Sequence, residues 1–505
     1  MTRPTRAAPA LGALLLIFVS ACASRADPTN GHVSPPTATA GGATQGQQTD
    51  WLQFGFDAAR GGVNPNERRI SAGTVAQLHR LWQVSLPDVA DSSPAYVHGL
   101  ALPDNTVRDV LFVTTRDGRL LARDAATGAA LWARQPAGSR ITHSSPLVDA
   151  TRQYVYAYGL DGTLHKYRTD SGQETTSGGW PVLITRMTGT EKESSSINGS
   201  GGRIYVSTGG YLGDAPPYQG HIVIISAADA STHVFNSLCS NLAHVLRPNE
   251  CPEDQSGIWA RAGVVVDPAT GNLFAVTGNG AYDANTGGND WGDTVLELSP
   301  DGTRVLDSYT PADFDQLDAS DADLGSTAPA LLPRLPTSKT PDLLVQGGKD
   351  ALLRVLDRRN LSGKGGPRYV GGGLHTLPTP GGCALLTQPT IWTDPASQAV
   401  WVFVDDDCAM GAYQVVTDAA GGTTLKRAWT VNVKATTPII AGNVLFAATS
   451  GAVRALDPRT GTQLWSSAGQ HAGGSIGGIH WESPIVANGV LYCADENNHL
   501  TAYGI

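Results

Sequence analysis

Apolar and polar positions alternate along this chain in short runs, and the runs recur at intervals too short for amphipathic helices. The clearest copies are residues 111–132 and 445–465. Each passes from an apolar run through a glycine turn and an alternating run to Asp-x-x-Thr-Gly and a closing tryptophan, Trp132 or Trp465. Strict alternation over residues 119–123 predicts a half-buried strand, and Asp117-Gly118 and Ser450-Gly451 supply turns that need positive φ. The aspartates that open the Thr-Gly turns, Asp124 and Asp457, can accept hydrogen bonds from backbone N–H groups just ahead of them. A tryptophan at the end of the unit can cover one repeat and pack on the next.

Other copies keep mainly their first strand, entered through a small or polar residue and a proline: Ser93-Pro94, Ser145-Pro146, Ala328-Pro329, Gln388-Pro389, Thr437-Pro438 and Ser483-Pro484. Ser195-Ser196-Ile197 and Ala262-Gly263-Val264-Val265 fit the same slot without proline, which makes eight units. The last unit, residues 485–503, stops after three strands, whereas residues 78–86 read as a lone tryptophan-bearing fourth strand before the first unit. The expected fold is therefore all-β: an eight-bladed β-propeller of four-stranded antiparallel blades, with an N-terminal strand completing the last blade. Such closure removes open sheet edges. Helical bundles and α/β folds are disfavoured because no long capped segment of helical period interrupts the series.

The N-terminus has a different pattern. Arg3 and Arg6 precede an apolar stretch at residues 11–19 that is too short to span a bilayer, as in a signal peptide. It closes on Val19-Ser20-Ala21-Cys22, which resembles the lipobox of bacterial lipoproteins and implies a lipidated Cys22. The alternative is an ordinary signal peptide from which Cys22 is discarded. Residues 23–50, rich in Pro, Thr, Ala, Gly and Gln, cannot bury enough apolar surface to order themselves and read as a tether, so residues 51–505 form the propeller. The expected location is the bacterial cell envelope, on the periplasmic or extracellular side, with membrane contact through the anchor only.

Composition agrees with many short strands and tight turns: charged residues are 16% of the chain and glycine supplies 59 of 505 positions. A formal net charge of −10 without Lys/Arg clusters argues against nucleic acid as a partner, since phosphate binding needs a concentrated basic footprint. Beyond Cys22, sequence proximity pairs Cys239 with Cys251 and Cys383 with Cys408 in an oxidising compartment, and leaves Cys493 free. The spacings form neither a zinc pattern nor a haem-attachment motif.

The repeated Asp-x-x-Thr-Gly and tryptophan resemble the propeller of quinoprotein dehydrogenases, which hold pyrroloquinoline quinone (PQQ) and calcium in a central funnel. They also resemble the non-catalytic lipoprotein of the outer-membrane β-barrel assembly machine. Gly257-Ile258-Trp259-Ala260-Arg261, Val266-Asp267-Pro268, Thr277-Gly278-Asn279-Gly280 and Gly292-Asp293 are similar to the dehydrogenase segment that stacks on the quinone and binds calcium. That resemblance gives Trp259 the stacking role and Asn279 a metal-ligand role. The acidic run at residues 313–325 stands where the family has its catalytic aspartate, with Asp323 the best match and a possible metal ligand. Residues 348–358 resemble the cofactor-contacting segment, with Lys349 as the cation on the quinone oxygens. A lysine that enters the funnel needs a carboxylate partner, because an unpaired buried charge is costly.

Two departures count against the dehydrogenase reading. After Gly209-Gly210, where the family has a calcium-binding Glu, the chain reads Tyr211-Leu212-Gly213-Asp214, so only a displaced Asp214 remains as a ligand. The adjacent Cys-Cys pair of many members is missing as well.

Residues just before each first strand should line the funnel's wide mouth, which nominates His143, Glu193, Asp323, Gln388, His480, Trp481 and Glu482. His480-Trp481-Glu482 joins a group titrating near neutrality, a flat apolar face and a carboxylate, and gives Trp481 a second cofactor-binding role. Two readings follow. One is a PQQ-dependent dehydrogenase of alcohol-type substrates, with PQQ and calcium in the funnel, Asp323 as base and Lys349 polarising the quinone. The other is a scaffold that binds proteins or glycans at the funnel mouth and does no chemistry. Oligomeric state has no sequence signature here.

Overall fold

All eight small-residue slots lead within two residues into the first strand of a sheet. The computed structural model describes residues 48–211, 215–469 and 473–505, within the compact unit Gly46–Ile505. The expectations for Cys22, for the tether up to residue 47 and for Asp214 lie outside these residues. First strands begin at Ala95, Leu147, Asn198, Val265, Ala330, Thr390, Ile439 and Ile485. Each opens an antiparallel sheet of sequential strands, for example Ala95–Ala101, Val107–Thr114, Leu120–Asp124 and Ala130–Arg134.

The eighth sheet takes its fourth strand from the other end of the chain. His79–Ser85 pairs antiparallel with His499–Gly504, with Trp82 opposite Ala502. The expected eight-bladed ring with N-terminal closure is borne out.

The repeat pattern has a direct packing cause. Trp82, Trp132 and Trp429 each donate an indole N–H to a backbone carbonyl in the next blade, at 3.2, 3.0 and 3.0 Å. Their rings lie against the glycine of that blade's turn: a Cβ on Gly128, Gly172 or Gly461 would stand 2.8, 2.6 and 2.8 Å from the respective indole. All three glycines also have positive φ, so both backbone and neighbour demand glycine there. Asp124 Oδ1 fixes one such turn by accepting N–H bonds from Ala126 and Thr127 at 2.9 and 3.0 Å.

One element had no expectation. Residues 51–64 run across the first strands and bond to seven of the eight sheets or the slots that enter them. Trp51 exchanges backbone bonds with Tyr96, Leu52 accepts from Val148, Gly61 from Ile391 and Gly62 from Ile440, while Asn64 reaches Val486 O. Arg60, fully buried, donates to the carbonyls of Phe54, Ser196, Ile197 and Ala262. Val63–Asn64 even adds a parallel strand beside Ile439–Ala441. This segment ties the first strands of the ring to one another. Both expected disulfides, Cys239–Cys251 and Cys383–Cys408, are present, and Cys493 is free and buried.

Candidate functional site

The loops that enter the fourth and fifth blades bring four of the expected residues together. Trp259 precedes strand Val265–Val266, and Asp323 lies just past the short exposed helix Phe314–Ala319. Trp259 Nε1 donates to Asp323 Oδ1 at 3.2 Å. Lys349, in the turn after strand Leu343–Gly347, sets its Nζ 2.6 Å from both Asp323 Oδ2 and Asp321 Oδ1 and 5.2 Å from the centre of the Trp259 ring. Asn279 Nδ2 donates to Asp321 at 3.1 Å, while Asn279 Oδ1 is buried without a donor among the described residues. Gly278 is where it is because a Cβ would stand 3.1 Å from both Asp323 Oδ1 and Trp259 Nε1. Burial alone would lower the Lys349 pKa, but the Asp323 and Asp321 carboxylates outweigh it and hold the ammonium above its ordinary value.

Trp259, Asp321 and Lys349 border a cavity of about 250 Å³ lined also by His143, Lys192, Tyr211, Arg261 and Trp481, whereas Asp323, expected in the lining, and Asn279 are buried behind them. Its volume is just short of the roughly 300 Å³ at which ligand pockets commonly begin. Three cations, Lys192, Arg261 and Lys349, and three aromatic rings, Trp259, Trp481 and Tyr211, dominate the lining. Burial, helped by the Arg261 charge, brings the Lys192 ammonium down to about 7. Arg261 is buried and donates to the carbonyls of Ser194, Asp91 and His143. Such a lining suits a small, flat, anionic ligand.

The remaining nominees separate into two groups. His143 and Trp481 face the cavity, and His480 stands half-exposed beside them. Glu193, Gln388 and Glu482 are buried instead of lining it, at 0%, 2% and 0% exposure. The position just before a first strand is already inside the ring, where neighbouring blades cover it. Burial pushes the Glu482 carboxyl up to about 9, with the Asp91 charge adding to it, and drives Glu193 well above the ordinary range.

Sequence reasoning missed Asp91, Lys192, Arg261 and Asp321. Asp91 accepts from His143 Nδ1 at 2.6 Å, His480 Nδ1 at 2.7 Å and the Trp481 N–H at 2.9 Å. Its position before Ser93-Pro94 is the same entry slot that nominated the others. Lys192 could have been found likewise, one residue before Glu193.

A family model described as outer membrane protein assembly factor BamB matches residues 66–238 and 413–505, just over half the chain. The chain belongs to the BamB family. The expected likeness to quinoprotein dehydrogenases holds as well for this BamB-family propeller. The quinohemoprotein alcohol dehydrogenase ADH IIB of Pseudomonas putida is 25% identical over 360 residues, 63% of this chain and 47% of that protein. The chain thus spans about half the length of this curated relative. Among solved structures, quinohemoprotein alcohol dehydrogenase from Comamonas testosteroni gives a TM-score of 0.64 at 15% identity, over 90% of this chain and 80% of that one. A europium-containing methanol dehydrogenase gives 0.63 at 14% identity, over 92% and 99%. BamB from Moraxella catarrhalis gives 0.50 at 13% identity, over 85% and 100%. These structures share the fold.

Within this BamB-family chain, the residues fit a quinone better than a calcium ion. The rings of Trp259 and Trp481 are 6.5 Å apart but inclined at 71°, so one floor is available and a parallel slot is not. The position after Gly210 holds Tyr211, whose ring carries the Arg140 guanidinium at 4.0 Å and whose hydroxyl donates to Thr188 O. A cation there has no carboxylate from that residue. Asn279 Oδ1 and Asp323 supply two side-chain oxygens, against the roughly six to eight that calcium takes.

Proposed function

We propose that this chain is a quinoprotein-like oxidoreductase that binds PQQ in the central cavity and oxidises an alcohol-type substrate. The observation that carries the reading is the contact network of Trp259, Asn279, Asp323 and Lys349, formed directly or through Asp321, of which Trp259 and Lys349 line the cavity. When bound, the quinone supplies the two-electron acceptor. Trp259 provides its apolar floor, and Lys349 stabilises negative charge on its oxygens, an effect strengthened where water is excluded. Arg261 and Lys192, which line the cavity, would hold its acidic groups. Asp323, held by the indole N–H and the Lys349 ammonium, is the base that takes the hydroxyl proton of the substrate. Calcium, if used, draws on Asn279 Oδ1 and Asp323 and takes its other oxygens from the ligand and water.

Purified protein titrated with PQQ and calcium, followed by absorbance or calorimetry, tests the reading, together with dye reduction across alcohols and sugars. Saturable PQQ binding with dye reduction supports it; no PQQ binding by folded protein ends it. The second reading, a non-catalytic scaffold for a protein or glycan, is favoured by Tyr211 at the expected glutamate position and by the inclined Trp481 ring.

For location, the reading is export to the cell envelope and a lipid anchor on Cys22, supported by Val19-Ser20-Ala21-Cys22 after the apolar stretch. Fatty-acid labelling that persists in Cys22→Ser would refute the anchor.

A further inference from the structure

We propose that Asp91, His143 and His480 form a site for one divalent first-row transition-metal ion of the zinc class, on the rim of the cavity. The three residues come from the entry loops of the first, second and eighth blades and offer ligand atoms all within 4.8 Å of one another. The Nδ1 atoms of His143 and His480 are 2.6 and 2.7 Å from the same atom, Asp91 Oδ2. Nitrogen and oxygen ligands stand about 2.0–2.2 Å from a zinc ion, and thus about 3.3–3.6 Å from one another in a tetrahedral site, so side-chain shifts of about 1 Å admit one.

A brace in which one carboxylate accepts from two imidazoles is the competing arrangement of the same three residues, and metal binding by folded protein tells the two apart. Glu482 and Glu496 also bring carboxylate oxygens within 4.8 Å of Asp91, and their side chains hydrogen-bond each other. Asp91 is 1% exposed, so water does not screen its charge. Neither nearby arginine bonds its carboxylate: Arg116 pairs with Glu496, at 3.6 Å, and Arg261 spends its Nη2 hydrogen bonds on the backbone oxygens of Asp91 and His143. A buried, ionised carboxylate beside two imidazole nitrogens is a donor set suited to a dication.

Two imidazole nitrogens select the metal class. Calcium prefers an all-oxygen shell, whereas zinc and its first-row neighbours take imidazole readily. With Nδ1 of each imidazole on the metal, the ring proton sits on Nε2, so a neutral imidazole binds without net proton release. Glu482, whose Oε2 accepts the His480 backbone N–H at 2.6 Å, holds that ligand loop in place. Three protein ligands leave a position open, and because His143 and Trp481 line the cavity, an oxygen of a cavity ligand can fill it. No part of this depends on the quinone reading.

The test is calorimetric titration of chelator-treated full chain with Zn²⁺ and Co²⁺, with Ca²⁺ in parallel. Thermal unfolding confirms that each variant is folded. One equivalent bound is expected, weakened roughly 10–100-fold or more in His480→Gln and in His143→Gln. The His480 side chain is 41% exposed, so His480→Gln leaves the core intact. Absence of saturable Zn²⁺ binding to folded wild type overturns the proposal. So does unchanged binding in both variants, or displacement of Zn²⁺ by an equal concentration of Ca²⁺.

Discussion

The indole N–H of Trp259 and the carboxylate of Asp323 are joined by a 3.2 Å hydrogen bond that ties the entry loop of one blade to that of the next. Lys349 closes the triangle by pairing with Asp323 Oδ2 at 2.6 Å under the same ring. Trp259→Phe keeps an aromatic floor but removes the donor. A hydrogen bond to a charged group is worth about 1.5–3 kcal/mol, so the variant should lose roughly that much stability in urea unfolding. PQQ affinity should fall severalfold in an absorbance titration, and further in Trp259→Ala, which also loses the apolar face.

Glycine in the Thr-Gly turns answers to two demands that substitution can separate. Gly461 has φ +72° and the Trp429 ring 2.8 Å from where a Cβ would be. Gly451 has a similar φ of +84° but open space around it. Gly451→Ala should cost only the left-handed strain of about 1–2 kcal/mol. Gly461→Ala should cost at least about 1 kcal/mol more, because the ring must leave its seat. Thermal or urea unfolding of the pair measures the difference.

That packing explains why the fold was legible in the sequence. Trp132 and Gly172, or Trp429 and Gly461, are residue types forced by contact between adjacent blades, so the contact prints itself at each repeat. The closing strand around Trp82 was readable for the same reason. The segment from Trp51 to Asn64 was not, because it is held by backbone carbonyls and amides that any sequence carries, with Arg60 as the main side-chain clue. The site was legible in part. Trp259, Asn279, Asp323 and Lys349 lie in segments with a distinctive order, whereas Arg261 and Lys192 are isolated basic residues whose meaning depends on burial. Glu193 and Gln388 show the limit of position alone, since the same slot can face the cavity or the interior.

Asp405 allows a pH test at a residue that does not line the cavity. Its Oδ1 accepts the Ala435 N–H at 2.8 Å, its Oδ2 is buried without a donor among the described residues, and burial holds its carboxyl well above the ordinary range. The unfolded chain therefore gives up this proton near pH 4, while the folded chain keeps it. As pH rises from there toward the folded value, the unfolded state binds fewer protons and stability falls, by at most about 1.4 kcal/mol per pH unit from this group. Asp405→Asn imitates the protonated form. It should match wild type at about pH 3.5 and exceed it increasingly toward neutrality, as read from urea midpoints across pH.

Lys192 makes a different pH prediction, for binding. Burial first, then the Arg261 charge, lowers its ammonium to about 7 against the opposing pull of Asp91, with Arg116 and Arg140 adding less. An anion in the cavity favours the charged form, so affinity for PQQ should be highest below about pH 7 and fall as the proton is lost above it. The other cavity cations do not share this dependence: Arg261 is held near 10 and Lys349 above its ordinary value. His143 is brought down to about 4 by burial and is neutral throughout, and Glu482, at about 9, titrates above the window. A charge-assisted contact is worth enough for a loss of about tenfold between pH 6 and 8.5. Lys192→Met should bind at the weaker level and show no step near pH 7. A step that survives in Lys192→Met would assign the dependence to another group and remove Lys192 from the binding surface.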